Sequence, residues 1–250
     1  MKLSHFVVPL LAATALTGCK EKQASTPVPD AAVKITQANP PAGGTWADVV
    51  NETAAGGYVM GNPNAKVKLV EIASLSCPHC RAFEEEGMPA LVSKYVTPGT
   101  VSWELRPYVI HGPIDVAADL VVRCNGAKTF FPLVRALYKD QPNWMAKLQA
   151  LPPQKYQEMQ TLPPSQAFVE MGEAMGLQDW AALRGITKAK SNKCLADQAM
   201  ISKEVQHVTD VTSQFPKFTG TPAFIINGTM LDKDSTSFDK VEPALKEALR

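Results

Sequence analysis

The spacing of hydrophobic and polar residues changes along the chain, and the first part fits an α/β pattern. Residues 67–72 are an apolar-rich run interrupted by two charged positions, which predicts a buried β-strand. Helical spacing of apolar residues follows, and residues 101–110 form a second strand-like run. A strand, a helix and a strand in this order make a βαβ unit, so the two strands should be parallel with a right-handed connection.

The middle of the chain, residues 112–212, has helical periodicity throughout. Proline pairs at 152–153 and 163–164 should divide this stretch into short helices. Near its end, apolar spacing from Cys194 to Val208 predicts one long helix. We therefore expect a helical domain inserted into the α/β part of the chain.

Strand character returns at residues 222–226. Asn227-Gly228 is a strong signal for a two-residue hairpin turn, so residues 229–231 should run back antiparallel. Apolar positions over 238–249 predict a closing helix. The fold class is α/β, with helices inserted between a βαβ half and a ββα half.

The predicted domain boundaries follow from these changes in period. The N-terminal half of the α/β domain is assigned to residues 46–111, the helical insertion to 112–212 and the C-terminal half to 213–250. Residues 20–45 are rich in Pro, Ala, Thr and Gln, which predicts a flexible linker.

The first 19 residues have the pattern of an export signal. Lys2 precedes an apolar stretch at 6–16 that is too short to span a bilayer. The stretch ends in Leu-Thr-Gly-Cys at 16–19, which resembles a bacterial lipobox and implies cleavage before a lipidated Cys19. An ordinary signal peptide with an incidental cysteine is the alternative. We expect a periplasmic protein held to the bacterial envelope membrane by N-terminal lipid.

The overall charge limits the kinds of partner that the protein can be expected to bind. The formal net charge is +1, so the chain lacks the basic excess of a nucleic-acid-binding protein. Beyond residue 19, no apolar run is long enough to cross a membrane.

The most reactive sequence in the chain is Cys77-Pro78-His79-Cys80. Two thiols at this spacing can close into a disulfide or open to a dithiol. Because the first cysteine falls where the predicted strand meets a helix, the helix N-terminus favours its thiolate form. His79 is a further candidate stabiliser. A redox-active disulfide is predicted, with no other cofactor.

The other cysteines must also be explained, because an odd number in an exported protein usually leaves one thiol over. The five cysteines are at positions 19, 77, 80, 124 and 194. If Cys19 carries lipid, Cys124 and Cys194 remain, and we predict a structural disulfide between them. Two buried unpaired thiols are the alternative. A zinc site is disfavoured because only one close cysteine pair exists, and haem attachment would need His where Arg81 stands.

Three features of the chain resemble the DsbA-like disulfide oxidoreductases of the thioredoxin superfamily. They are the Cys-Pro-His-Cys motif, Glu71 six residues before Cys77, and Gly-Thr-Pro at 220–222 before the hairpin. The resemblance covers residues 58–250 and implies a thioredoxin fold. It also implies that Pro222 follows a cis peptide bond and that the Thr221 backbone pairs with substrate. The Pro-His pair between the cysteines is typical of the oxidising members.

The resemblance also implies a role for Glu71, as a buried acid that helps to move a proton during exchange. The alternative is an ordinary strand carboxylate near the surface. Arg106 is a candidate for its basic partner. His111 and His207 are expected to be structural or solvated.

The predicted function is donation of the Cys77–Cys80 disulfide to reduced or unfolded exported proteins, with reoxidation by a DsbB-like membrane partner. Thr221 departs from the pattern of the oxidases, since DsbA carries Val at the position before the cis-proline. Thr at this position is common in the DsbG-like isomerase branch. Isomerases of that branch have an N-terminal dimerisation domain, and residues 20–57 are too short and polar to supply one. An oxidase and a monomer are therefore expected. A disulfide isomerase or reductase, or a tethered chaperone or Cu(I) metallochaperone, is the alternative.

Overall fold

The computed structural model describes Val33, Lys34 and residues 39–250. The predicted signal segment with Cys19, and the other residues of the predicted linker before residue 39, lie outside this part of the chain. Within the described residues, no helix combines the length and apolar character that crossing a bilayer requires.

The described strands form one mixed sheet. They are β1 Val33–Lys34, β2 Val50–Thr53, β3 Tyr58–Met60, β4 Val67–Ala73, β5 Val101–Pro107, β6 Ala223–Ile226 and β7 Thr229–Met230. Their order across the sheet is β1-β2-β3-β5-β4-β6-β7. β4 and β5 are parallel, which confirms the predicted βαβ unit, and the other neighbouring strands are antiparallel.

The helices fall into two groups. They are α1 Pro78–Glu86, α2 Met88–Leu91, α3 Pro113–Val122, α4 Ala127–Lys139, α5 Gln141–Gln149, α6 Pro153–Thr161, α7 Pro164–Met175, α8 Leu177–Ala182, α9 Lys188–Leu195, α10 Gln198–Gln214 and α11 Phe238–Leu249. A 3₁₀ turn at Trp46–Asp48 precedes β2, and a π-helical turn at Val92–Val96 follows α2. Helices α3–α10 form the inserted domain. The predicted fold class is confirmed as a thioredoxin fold with a helical insertion.

The central strand β4 is covered on both of its faces. Leu69 and Trp103 belong to the main core, whereas Val70 and Ile72 pack with Val211, at the end of α10, in a smaller cluster on the other face. Full burial of one such side chain contributes about 1.5–3 kcal/mol. The C-terminal end of β4, from which the Cys77 turn departs, is therefore firmly anchored.

The turn between β6 and β7 confirms the hairpin predicted from Asn227-Gly228. Asn227 and Gly228 both have positive φ angles, 48° and 81°, as a two-residue hairpin turn requires. β6 pairs antiparallel with β4. The sheet therefore brings the segment just before β6, with Pro222, towards the end of β4.

One part of the linker prediction is wrong. Val33 and Lys34, within the predicted linker 20–45, pair antiparallel with β2 and extend the sheet. The hydrophobic pattern also did not predict β2 and β3. Strands of two to four residues contain too few positions to show a clear alternation, and their pairing comes mainly from backbone hydrogen bonds.

The predicted long helix carrying Cys194 is also wrong, because the structure divides it into α9 and α10. The Asp197 side chain accepts hydrogen bonds from the N–H groups of Ala199 and Met200, at 3.0 and 3.1 Å, and so caps a new helix. Cys124, expected within a helix, lies in the turn just beyond α3. The second predicted strand ends at Pro107 instead of residue 110.

Candidate active site

The Cys-Pro-His-Cys motif sits at the junction of β4 and α1. Cys77 is the N-cap residue of α1, and Pro78 occupies the first helical position, where its missing N–H costs nothing. The Cys77 side chain is 4% exposed and Cys80 is fully buried. Both thiols are unbridged in this structure, and the N–H groups of His79 and Cys80, in the first turn of α1, donate to the Cys77 sulfur.

The environment of Cys77 favours the thiolate. Its pKa is lowered to about 5, chiefly because the Cys80 thiol donates a hydrogen bond to the Cys77 sulfur. The Thr221 side chain and the N–H groups of Cys80 and His79 act in the same direction, whereas burial opposes them. Hydrogen bonds to the charged form are the expected cause of such a shift.

Cys80 behaves in the opposite way. Burial raises its pKa well above the usual value, and its hydrogen bond to Cys77 adds to the effect because that bond requires the proton on Cys80. The two sulfurs therefore share one proton unequally. This arrangement favours the thiolate at Cys77 and the protonated thiol at Cys80.

The cis-proline loop lies against the Cys77 sulfur. The Thr221–Pro222 peptide bond is cis, and the Cys77 thiol lies 3.4 Å from the Thr221 carbonyl oxygen. The Thr221 hydroxyl oxygen is buried and has no standard hydrogen-bond partner among the described residues, so its hydrogen is available to a thiolate. A depression of about 220 Å³ runs beside this loop and is lined in part by Met230 and Leu231.

Glu71 is a buried acid whose charge interacts with both Cys77 and Cys80. It is 2% exposed, and burial raises its pKa well above the usual range, with the negative charge of Glu84 adding to the rise. The Trp103 indole N–H donates to Glu71 at 3.2 Å and opposes the shift. The charge of Glu71 in turn helps to raise the pKa of Cys80.

Arg106 is not the partner of Glu71, and that prediction is wrong. In the parallel register, Glu71 is opposite Leu105 and Ile72 is opposite Arg106. Because side chains alternate along a strand, Arg106 points to the other face of the sheet. There it forms an ion pair with Glu104 at 3.0 Å.

The side chains between the cysteines face solvent. Pro78 and His79 are both exposed. His79 acts on Cys77 through its backbone N–H.

Sequence reasoning missed the residues that hold the turn before Cys77. The Tyr138 hydroxyl donates to the Ser74 carbonyl at 3.1 Å. The Gln141 amide donates to the carbonyls of Leu75 and Cys77, at 2.8 and 3.0 Å. Tyr138 and Gln141 belong to the inserted helices, far away in sequence, so only the tertiary structure reveals their role.

The other two cysteines of the described residues, Cys124 and Cys194, and His207 lie in the inserted domain. A disulfide joins Cys124 and Cys194, whose Cα atoms are 5.7 Å apart, and it ties the turn after α3 to α9. His207 is buried, 3.7 Å from Glu204. Among the described residues, no group of three or more acidic, His or Cys side chains is placed to hold a metal ion.

A family model described as thioredoxin matches residues 53–247 of this chain. A Rickettsia bellii protein, provisionally named a protein-disulfide oxidoreductase, is 27% identical over 192 residues; the match covers 76% of this chain and 64% of that protein. The chain thus matches less than two thirds of the length of this relative.

Solved structures give the same fold. A crystal structure of a protein-disulfide isomerase from Novosphingobium aromaticivorans has a TM-score of 0.72 and 28% identity, and covers 77% of this chain and 96% of its own. Wolbachia pipientis α-DsbA1 has a TM-score of 0.59 and 18% identity, and covers 76% of this chain and 89% of its own.

Proposed function

The chain belongs to the thioredoxin family, in its DsbA-like form with a helical insertion, and from that premise we propose that it is a thiol:disulfide oxidoreductase acting as an oxidase. It donates the Cys77–Cys80 disulfide to reduced exported proteins. The provisional name of the Rickettsia bellii relative supports the reaction class.

The low pKa of Cys77, about 5, is the observation that supports oxidation of substrates as the direction of the reaction. An environment that stabilises the thiolate stabilises the reduced protein. The disulfide is then correspondingly more oxidising, by about 30 mV for each 1.4 kcal/mol. The same thiolate is a good leaving group in the last exchange step.

The reaction begins when a substrate thiolate attacks the Cys77 sulfur of the disulfide. The sulfur–sulfur bond breaks, its electron pair goes to Cys80, and a mixed disulfide joins the substrate to Cys77. Cys80 takes a proton from Glu71, whose raised pKa favours the protonated acid. A second substrate thiolate then displaces Cys77, so the substrate leaves oxidised and the enzyme reduced.

The cis-proline loop is the proposed substrate-binding edge. Pro222 has no N–H, so it leaves the sulfurs open to an incoming chain. The Thr221 backbone pairs with an extended substrate segment in the manner of an added strand. The depression beside Met230 and Leu231 provides apolar contact for its side chains.

The proposed location is the periplasm. Residues 1–19 direct export, and lipid on Cys19 attaches the protein to the envelope membrane. Reduced or unfolded exported proteins are the substrates, and a DsbB-like membrane protein regenerates the disulfide. The protein acts as a monomer, with no cofactor beyond its redox-active disulfide and no nucleic-acid partner.

A disulfide isomerase is the second candidate. Thr221 before the cis-proline favours it, and the Novosphingobium aromaticivorans structure is named as an isomerase.

The reduction potential of Cys77–Cys80, measured against glutathione, tests the proposal. An oxidase should have a potential above about −150 mV, near that of DsbA, and should oxidise a reduced unfolded protein faster than it rearranges a scrambled one. A potential near −270 mV, as in thioredoxin, or faster rearrangement than oxidation would contradict the oxidase role. A tethered chaperone would keep its function in a Cys77→Ser, Cys80→Ser variant, and a metallochaperone would be purified with copper.

A further inference from the structure

A hydrogen-bond chain outside the exchange mechanism begins at the residue before the nucleophile. The Ser76 hydroxyl lies 2.6 Å from Nδ1 of His111 and 3.0 Å from the Ser74 hydroxyl. The Ser74 hydroxyl donates to Oδ1 of Asp115 at 2.7 Å. Ser74, Ser76 and Asp115 are buried, whereas His111 is exposed. These hydrogen bonds thus link a buried carboxyl group to a surface imidazole that contacts Ser76, the residue next to Cys77.

The direction of each bond follows from the number of available hydrogens. Ser74 uses its only hydroxyl hydrogen on Asp115, so the contact between the two hydroxyls requires Ser76 to donate to Ser74. Ser76 then has no hydroxyl hydrogen left, and Nδ1 of His111 must donate to Ser76. In the neutral imidazole, Nε2 is therefore the proton acceptor, on the ring edge away from Ser76.

Asp115 is an anion held by neutral donors. Its carboxylate also accepts the N–H groups of Ser76, Ile110 and His111, at 3.2, 2.8 and 2.6 Å. None of these donors carries a positive charge. His111 is joined through the Ser76 and Ser74 hydroxyls to a buried carboxyl group on α3.

We infer that His111 is a further catalytic residue, the base that accepts the proton of the incoming substrate thiol; this role rests on the proposed exchange function. A free thiol has a pKa near 8.5, so about 1% is thiolate near pH 6.5. Nε2 of His111 takes the thiol proton, and the imidazolium holds the substrate sulfur beside Cys77.

The electrons and protons balance within the first exchange step. The substrate sulfur uses the electron pair left by its proton to form a bond to the Cys77 sulfur. The Cys77–Cys80 bond breaks, and its pair goes to Cys80. Cys80 is protonated by Glu71, so the step ends with His111 positive, Glu71 negative and the mixed disulfide formed.

The test compares the oxidised wild-type protein with His111→Gln, in a reaction with an unstructured peptide that contains a single cysteine. Mixed-disulfide formation is followed by rapid acid quenching and mass spectrometry between about pH 5.5 and pH 9.5. Near pH 6.5 the variant should be about tenfold slower, since a base acting on about 1% thiolate can add at most about a hundredfold. Above about pH 9, where the peptide is already ionised, the two rates should be equal.

A second variant tests the hydrogen-bond chain. Ser76→Ala removes the acceptor of Nδ1 and should give a smaller loss with the same dependence on pH. In both variants the Cys77 pKa, followed by the ultraviolet absorbance of the thiolate, should stay at the wild-type value.

Three outcomes would overturn the role of His111. The first is a His111→Gln profile identical to that of the wild type. The second is a loss that persists at high pH or is matched by a change in the Cys77 pKa, because His111 would then act through Cys77. The third is a wild-type protein that fails to react at any pH, which would also remove the proposed exchange function.

Discussion

The pairs Cys77–Cys80 and Cys124–Cys194 contain the same atoms, but the groups around their sulfurs differ. Around Cys77, hydrogen-bond donors converge on one sulfur and lower its pKa to about 5. Around the other pair, the Cys124 sulfur lies 3.6 Å from the carbonyl oxygen of Lys190, and the Cys194 sulfur lies 3.9 Å from that of Cys124. The Cys77 sulfur also lies 3.4 Å from a carbonyl oxygen, that of Thr221, so the difference between the pairs lies in the donors: the Cys80 thiol and the N–H groups of His79 and Cys80 act on Cys77. Because thiolate character controls cysteine reactivity, we expect the first pair to exchange its disulfide and the second to keep it.

The largest expected effect is on activity, at the first pair. Cys77→Ser should lower the rate of oxidation of a reduced unfolded protein by at least about a thousandfold, because the sulfur that forms the mixed disulfide is gone. Its unfolding free energy, compared with the reduced wild type, should change by less than about 1 kcal/mol. Residual exchange above the uncatalysed rate would show that another cysteine carries the reaction.

At the second pair, the expected effect is on stability. The Cys124→Ala, Cys194→Ala double variant should lose about 4 kcal/mol of unfolding free energy, as the chain-entropy model gives for a loop of this length. Urea unfolding of the oxidised proteins measures the loss. Exchange activity per folded molecule should stay within about twofold of the wild type. A large drop in exchange activity with intact folding would contradict the assignment of stability to the second pair and exchange to the first.

Glu71→Gln should slow the exchange of the buried sulfur by about tenfold, because Cys80 loses its proton donor. Rapid-quench kinetics with a single-cysteine peptide measure this step. The variant should also be more stable than the wild type at neutral pH. The folded-state pKa of Glu71 is raised, so the stability that it contributes is present below its unfolded pKa, near 4.3, and is lost as pH rises through the folded value.

Glu204→Gln is the matched control for that pH dependence. Burial alone would raise the pKa of Glu204, but the charge of Arg123, 3.0 Å away, and the contacts with His207 and Asp119 together outweigh burial, and the pKa is lowered. Its stability contribution is therefore present above the unfolded pKa and lost as pH falls through the folded value. Glu204→Gln should destabilise the protein at neutral pH and leave the exchange rate unchanged. The same sign of stability change in both variants would contradict the assignment of Glu71 as an unpaired buried acid.

The smallest predicted effect is at Thr221. Thr221→Val removes the hydroxyl that acts on the Cys77 sulfur and should raise the Cys77 pKa by about half a unit to one unit. Thr221→Ser, which keeps the hydroxyl, is the matched control and should titrate like the wild type. A titration of the thiolate by ultraviolet absorbance distinguishes them, and equal values for Val and Ser would show that the hydroxyl has no role.

The features that could be predicted from the sequence are those set by residues close together in the chain. The parallel pair β4 and β5, the Asn227-Gly228 hairpin and the position of Cys77 at a helix N-terminus all follow from residues close together in the chain. The Arg106 hypothesis was wrong because adjacent strand positions face opposite sides of the sheet. Asp115 could not be connected with Ser76 from the sequence, since their contact is made only when the start of α3 packs against the end of β4.

The most direct test of the account is the pKa of Cys77 in the reduced wild-type protein, obtained from the ultraviolet absorbance of the thiolate and from alkylation rates across pH, with Cys77→Ser as the blank. A value close to the expected 5 would support a sulfur held as an anion by the N–H groups of α1, the Cys80 thiol and Thr221. A value near 8.5, that of an ordinary thiol, would contradict it.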